Sequence, residues 1–305
     1  MQGDVEAPKT AAWNARRPPS ALSEKTLVLC LRIVMSLQPK RGKSMRTVRF
    51  LLALACAIAA TGAAIAAGEV DLLLVIASDA SHSIDDAKFK LQRDGYIAAI
   101  SDFRVIEAIR SGPRKRIAIC FVEWSGITEQ NVVVDWTVID DEKTAMNFVN
   151  LLRENPRSFA SYTSISGAID FAMANLARAP FYSERRTIDV SGDGTNNSGR
   201  SVVEARDDAV AQGVTINGLV ILSEQPMYTD PLHTHPPGGL EMYYRTKVIG
   251  GPNAFVMVAE NFQAFGQAIV HKLLVEIAES SGTTLRRFGS LRARNLSSQR
   301  PPFRR

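Results

Sequence analysis

The chain has 305 residues, 46% hydrophobic and 22% charged, a composition that belongs to folded proteins. Its formal charge of +5 sits at the ends: residues 68–280 hold 19 Lys/Arg against 28 Asp/Glu, a net −9, whereas residues 281–305 hold seven arginines and no acid. An acidic body argues against nucleic acid as a partner and suits a bound cation.

The first interpretable element is Met45-Arg46-Thr47-Val48-Arg49 followed by the apolar run Phe50 to Ala67, which ends in Ala64-Ile65-Ala66. A short basic region, an Ala-rich apolar stretch and a small-residue end read as a signal peptide over residues 45–67 rather than as a membrane anchor. Residues 1–44 then precede the natural start as a mis-assigned or disordered extension. The expected compartment is periplasmic or secreted, in a bacterium, with no stable membrane span after cleavage. Of Cys30, Cys56 and Cys120, only Cys120 survives cleavage, so no internal disulfide is expected and Cys120 reads as a small core hydrophobe. At the other end, residues 281–305 read as a basic disordered tail.

Between these ends, residues 68–280 read as one domain. Strands are expected at Val70–Ile76, Arg116–Trp124, Asn131–Val138, Arg186–Val190, Val214–Leu222 and Ala254–Val258. Helices are expected at Asp85–Ile100, Asp141–Leu152, Ser164–Leu176, Ser201–Gln212 and Asn261–Ile277, and Gln225–Gly239 reads as a mobile polar loop. The alternation predicts an α/β fold: a mostly parallel central sheet with one antiparallel edge strand and helices on both faces. In such sheets the functional crevice lies at the carboxyl ends of the strands.

Two segments reach that edge with unusual chemistry. Ile76-Ala77-Ser78-Asp79-Ala80-Ser81-His82-Ser83 places oxygen side chains at i, i+2 and i+4, and Ser191-Gly192-Asp193-Gly194 adds an acid. Thr163, at the mouth of the Ser164 helix, is both a further donor and an N-cap candidate. One carboxylate and two hydroxyls form a hard, oxygen-only cradle of the kind that suits Mg²⁺. Each residue also has a plain reading, as a helix cap or a turn residue. The five together, on one sheet edge, favour the cation.

Asp79-x-Ser81-x-Ser83, Thr163 and Asp193 resemble the metal-ion-dependent adhesion site of von Willebrand factor type A domains. The chain more closely resembles a bacterial family of exported von Willebrand A-like proteins of unknown function. That likeness rests on Val122–Gly126, Ile188–Gly199, Thr215–Leu219 and Val248–Pro252 and covers about residues 69–279. The resemblance implies a three-layer Rossmann-like fold and a divalent cation, Mg²⁺ or Mn²⁺. It further implies that Ser81, Ser83 and Thr163 approach the metal directly, that Asp79 and Asp193 act through water, and that a protein partner supplies an acidic side chain. His82 departs from the pattern by standing where a small residue is common. His233-x-His235 suggests a separate transition-metal site only weakly. A hydrolase built on His82 and a nearby Ser, without a Gly-x-Ser-x-Gly elbow, is the alternative activity; a structural domain with a vacant metal site is the other.

Overall fold

The computed structural model describes residues 68–158, 161–223 and 225–278. The expected signal peptide, the N-terminal extension and the basic tail lie outside these residues. Helices and strands alternate, beginning with the two-residue strand β1 (Gly68–Glu69), which pairs with β5 (Phe181–Tyr182). The main sheet comprises β2 (Leu73–Asp79), β3 (Ile117–Trp124), β4 (Gln130–Ile139), β6 (Arg186–Gly192), β7 (Thr215–Ile221) and β8 (Val256–Ala259). Its order is β4-β3-β2-β6-β7-β8, parallel throughout except for β4, which runs antiparallel to β3 at one edge. The expected architecture is therefore present: a six-stranded, mostly parallel sheet with one antiparallel edge strand.

β2 shows why the sheet must be covered twice. All seven of its residues are buried. Leu72, Leu74 and Ile76 enter one core and Leu73, Val75 and Ala77 the other, the period-two alternation of a strand with no wet face. The first core is closed by α1 (Asp86–Ile100), α2 (Phe103–Arg110), α3 (Glu142–Glu154) and α8 (Phe265–Ala278). The second is closed by α4 (Ile165–Ala177) and α5 (Val202–Ala211). Each fully buried aliphatic side chain in these layers contributes about 1.5–3 kcal/mol. Cys120 packs in the second core, where burial pushes its thiol up to about 12.

Helix starts follow the capping rules. Asp85 accepts from the Lys88 amide, Asp141 and Thr144 form a capping box, and Ser201 caps α5. Gly213, at φ 74°, ends α5 in the left-handed conformation that glycine adopts freely. Two expectations need correction. The first strand runs from Leu73 to Asp79 rather than from Val70 to Ile76, because the Asp71 carboxylate turns aside to accept from the Arg114 amide; Asp79 is thus a strand residue. And Phe103–Arg110, where the sequence pattern predicts no element, is a helix capped by Asp102 that buries Val105, Ile106 and Ile109.

One ionic cluster is sealed between α8 and the sheet. Lys272, wholly buried, lies 2.6 Å from Asp189 Oδ1 and 2.5 Å from Glu276 Oε1, and Asn217 Nδ2 donates to the same Glu276 oxygen at 2.8 Å. Removing one partner of such a cluster strands the others in a low-dielectric interior. Lys272→Met should therefore lower unfolding stability by about 3–5 kcal/mol, read as the urea midpoint. A midpoint equal to or above that of the wild type would contradict this reading.

Candidate functional site

β2 ends on Asp79, and Asp193 follows the last residue of its neighbour β6. The parallel pairing of Ser78 with Ser191 brings the two strand ends level. Both carboxylates are buried, at 0% and 1% exposure, and each keeps one oxygen without a hydrogen-bond partner, Asp79 Oδ2 and Asp193 Oδ2. The other oxygens are engaged locally: the Ser81 amide donates to Asp79 Oδ1 at 2.7 Å, and the Ser83 hydroxyl donates to Asp193 Oδ1 at 2.6 Å. Ser81 and Ser83 hydroxyls lie 3.1 Å apart. Four of the five expected donors are thus joined in one chain of contacts.

Thr163 completes the group from a third segment. The cap of α4 is Ser164, whose hydroxyl accepts from the Gly167 amide, so the cap expected of Thr163 is filled by its neighbour and the Thr163 hydroxyl faces the site. Asn197 clamps Thr163 from both sides: its side-chain oxygen accepts from the Thr163 amide, and its own amide donates to the Thr163 carbonyl, each at 2.9 Å. Asn196 fixes the next turn by accepting from the Ser166 amide. The Asn196-Asn197 pair is a brace between two site segments.

The capping alternative for Asp79, Ser81 and Ser83 also fails, because Asp85 itself caps α1. The loop they occupy is held by Arg157, whose Nη2 donates to the carbonyls of Ala80, Ser81 and Ile84 at 2.9, 3.0 and 2.7 Å. Lys88 Nζ donates to the Ser83 carbonyl at 3.0 Å. Nothing in the sequence pattern singles out Arg157, which acts from a loop more than seventy residues away.

The glycines flanking Asp193 serve close approach. A Cβ on Gly192 would fall 2.9 Å from Asp79 Oδ2 and 2.6 Å from the Tyr244 hydroxyl. One on Gly194 would fall 2.0 Å from His233 Nε2. His233 corrects the expected mobile loop: Pro231–Thr234 is a short helix, α6, followed by α7 (Leu240–Tyr243) and a π-turn over Tyr244–Val248. His233 is 2% exposed and its Nε2 lies 3.2 Å from Thr163 Oγ1. His235 is exposed and bonds Thr234, so the His-x-His pair does not converge. A cavity of about 390 Å³ opens over the group, lined among others by His82, Ser83, Tyr162, Thr163, Asp230 and His233. His82 is exposed at its rim.

Burial, and next the neighbouring Asp193, push the Asp79 carboxyl up to about 8. Burial raises Asp193 too, opposed by Ser83, Lys88 and His233. Two buried acids this close are poorly served by their own protein, and a cation would relieve both. The donor set fits a hard cation: two carboxylates, each with one orphaned oxygen, and three hydroxyls, although among the described residues no three His, Cys, Asp or Glu side chains form a metal cluster.

The sequence matches, over residues 69–281, a family described as a protein of unknown function, DUF1194. The chain belongs to the DUF1194 family. No curated protein matches it. Among solved structures, the DUF1194 chain is similar to the pilus adhesin SpaC of Lactobacillus rhamnosus GG in its open conformation, with TM-score 0.50 and 12% identity over 69% of this chain and 30% of that one. Proximal thread matrix protein 1 of the mussel byssus gives TM-score 0.49 and 12% identity, over 68% and 48%. A von Willebrand factor type A protein from Catenulispora acidiphila gives 0.46 and 15%, over 70% and 43%. The DUF1194 chain spans less than half the length of each, and at these identities the likeness concerns the fold alone. The likeness to the SpaC adhesin is one of a mixed α/β fold with a mostly parallel central sheet.

A pH dependence follows from the raised Asp79 carboxyl. The folded chain holds a proton there between its ordinary value of 3.8 and about 8, where the unfolded chain has released it. Stability is therefore greatest below that window and falls as pH rises through it. The metal-free chain should lose stability across this window relative to Asp79→Asn, measured as the difference between their urea midpoints at each pH. A difference that stays flat, or that grows toward acid in the variant's favour, would contradict the assignment.

Proposed function

We propose that this DUF1194 domain is a divalent-cation-dependent protein-binding module of the adhesion type, acting outside the cytoplasm. The observation that carries it is the pair Asp79 and Asp193: two buried carboxylates at neighbouring strand ends, each with an unpartnered oxygen, ringed by Ser81, Ser83 and Thr163. These five residues would hold Mg²⁺ or Mn²⁺. The bound cation would supply a positive centre able to accept an acidic group from a partner.

What surrounds the cavity supports a protein rather than a small substrate. Tyr162, on the cavity wall, is 70% exposed, and Tyr228, between the wall residues Met227 and Thr229, is 98% exposed. Aromatic and aliphatic side chains displayed around a polar centre are the composition of interface cores. Residues 45–67 support export, through their signal-like pattern, and among the described residues no helix is long and apolar enough to cross a membrane. The hydrolase alternative draws little support: His82 stands exposed at the cavity rim and the chain has no Gly-x-Ser-x-Gly elbow.

Calorimetric titration of Mg²⁺ and Mn²⁺ tests the reading. The wild-type chain should bind one equivalent, and the double variant Asp79→Ala, Asp193→Ala should bind none. Equal, negligible heats in both chains would overturn it. Asn197→Ala, which removes the side-chain half of the clamp on Thr163 and keeps the backbone half, should weaken binding by about 10–100-fold, the usual cost of losing an outer support of a metal site. An unchanged affinity would show that the clamp on Thr163 plays no part.

A further inference from the structure

A second polar centre lies at the far edge of the sheet, where β6 and β7 begin. These two strands are covered on both faces, so apolar side chains are expected on either face. They read instead Thr187-Ile188-Asp189 and Thr215-Ile216-Asn217. The register pairs Thr187 with Thr215 and Asp189 with Asn217, and Leu219, two residues on, packs in the core that α8 closes. Ile188 and Ile216 enter the opposite core. Four polar side chains thus form one block on the α8 face, and Thr187, Asp189 and Asn217 are buried.

The block is short of donors. Glu276 of α8, 2% exposed, accepts at Oε1 from Lys272 and from Asn217, while its Oε2 has no hydrogen-bond partner. One ammonium therefore serves two buried carboxylates, Asp189 and Glu276. An acceptor buried without a donor is costly. A crevice of about 180 Å³ opens onto the block, with Glu276, Asn217, Thr187 and Thr215 in its lining and the exposed Glu184 and Asn253 at its rim. Two arginines also line it. Arg185 Nη2 donates to the Glu276 carbonyl at 2.8 Å, and Arg186 Nη2 donates to the Gln212 carbonyl. A guanidinium carries five N–H donors, so Arg186 keeps several for an anion.

We infer that this crevice binds a small zwitterion, an α-amino acid, with its ammonium on Glu276 and its carboxylate on Arg186. The lining holds both signs of charge: Arg185 and Arg186 disfavour a simple cation, and Glu184 and Glu276 a simple anion. An ammonium at Glu276 Oε2 would supply the missing donor and give the two buried acids two cations. A carboxylate on Arg186 would gain a charge-assisted contact. The volume keeps the ligand small, since pockets for drug-sized molecules run from roughly 300 to 1,000 Å³. Asp79 and Asp193 stand at the carboxyl ends of β2 and β6, so this site is separate from theirs and needs no cation there.

The test uses the full chain. The ordinary amino acids are screened by thermal shift, and those that raise Tm are titrated by calorimetry. At least one should bind as a single equivalent. Its N-acetyl derivative and its amide, each lacking one charge, should bind at least about 10-fold more weakly, because each removes one partner of a desolvated charge pair. Arg186→Gln and Glu276→Gln should each weaken the unmodified amino acid by at least about 10-fold. The urea midpoint of the ligand-free Arg186→Gln chain should match the wild type, which separates a lost contact from a damaged fold. If Glu276→Gln does not fold, Arg186→Gln and the two blocked ligands still decide. No rise in Tm with any amino acid would overturn the proposal. So would binding that Arg186→Gln leaves intact, or blocked ligands that bind as well as the parent.

Discussion

The structure turns on two acids held out of water. Asp79 ends one strand and Asp193 follows its parallel neighbour, both are buried, and each keeps one unpartnered oxygen. Burial first, and the neighbouring Asp193 next, push the Asp79 carboxyl up to about 8, which makes its charged form costly. A fold bears such a cost where the charge pair has a use, since strongly perturbed carboxyls gather at functional sites. The surroundings are consistent with that. Arg157 pins three carbonyls of the loop between them, Asn197 pins Thr163 on both faces, and Gly192 and Gly194 give up side chains so that Asp79 and His233 can come close.

The sheet makes this convergence possible. Parallel strands deliver their carboxyl ends to one edge, so three loops far apart in sequence meet there without long excursions. Two-sided burial of β2 fixes its register, because a slip by one residue would exchange its two apolar sets and carry Asp79 off the edge. Farther along the sheet, Lys272 gives Asp189 and Glu276 one internal countercharge between them. The chain supplies a cation of its own to one buried acid pair, whereas Asp79 takes the Ser81 amide and Asp193 the Ser83 hydroxyl, with Lys88 and His233 acting on Asp193 through their charge.

Much of this is legible in the sequence, for identifiable reasons. Buried strands are apolar runs, amphipathic helices repeat every three to four residues, and Asp79-x-Ser81-x-Ser83 is a local pattern that survives without any knowledge of contacts. Thr163 and Asp193 are legible only because each follows or precedes a recognisable element. What stays hidden depends on long-range packing. Arg157 and Asn197 act through backbone carbonyls and amides, which no residue pattern announces. His233 lies in a Pro/Gly-rich segment whose composition reads as solvent-exposed, yet Gly194 leaves a hollow that buries it. The helix Phe103–Arg110 carries its own signal, a cap at Asp102 and an apolar face at Val105, Ile106 and Ile109, but its eight residues are short for a periodicity to stand out.

If the space between the two strand ends is a cation site built from Ser81, Ser83, Thr163 and Asp193, with Asp79 behind them, anomalous scattering from crystals grown with Mn²⁺ will locate the ion. One strong anomalous peak is expected within ligand distance of the Ser83 hydroxyl, the Thr163 hydroxyl and Asp193. Ordered density for these side chains with no peak among them, at saturating Mn²⁺, would contradict the assignment of the two buried acids to a metal.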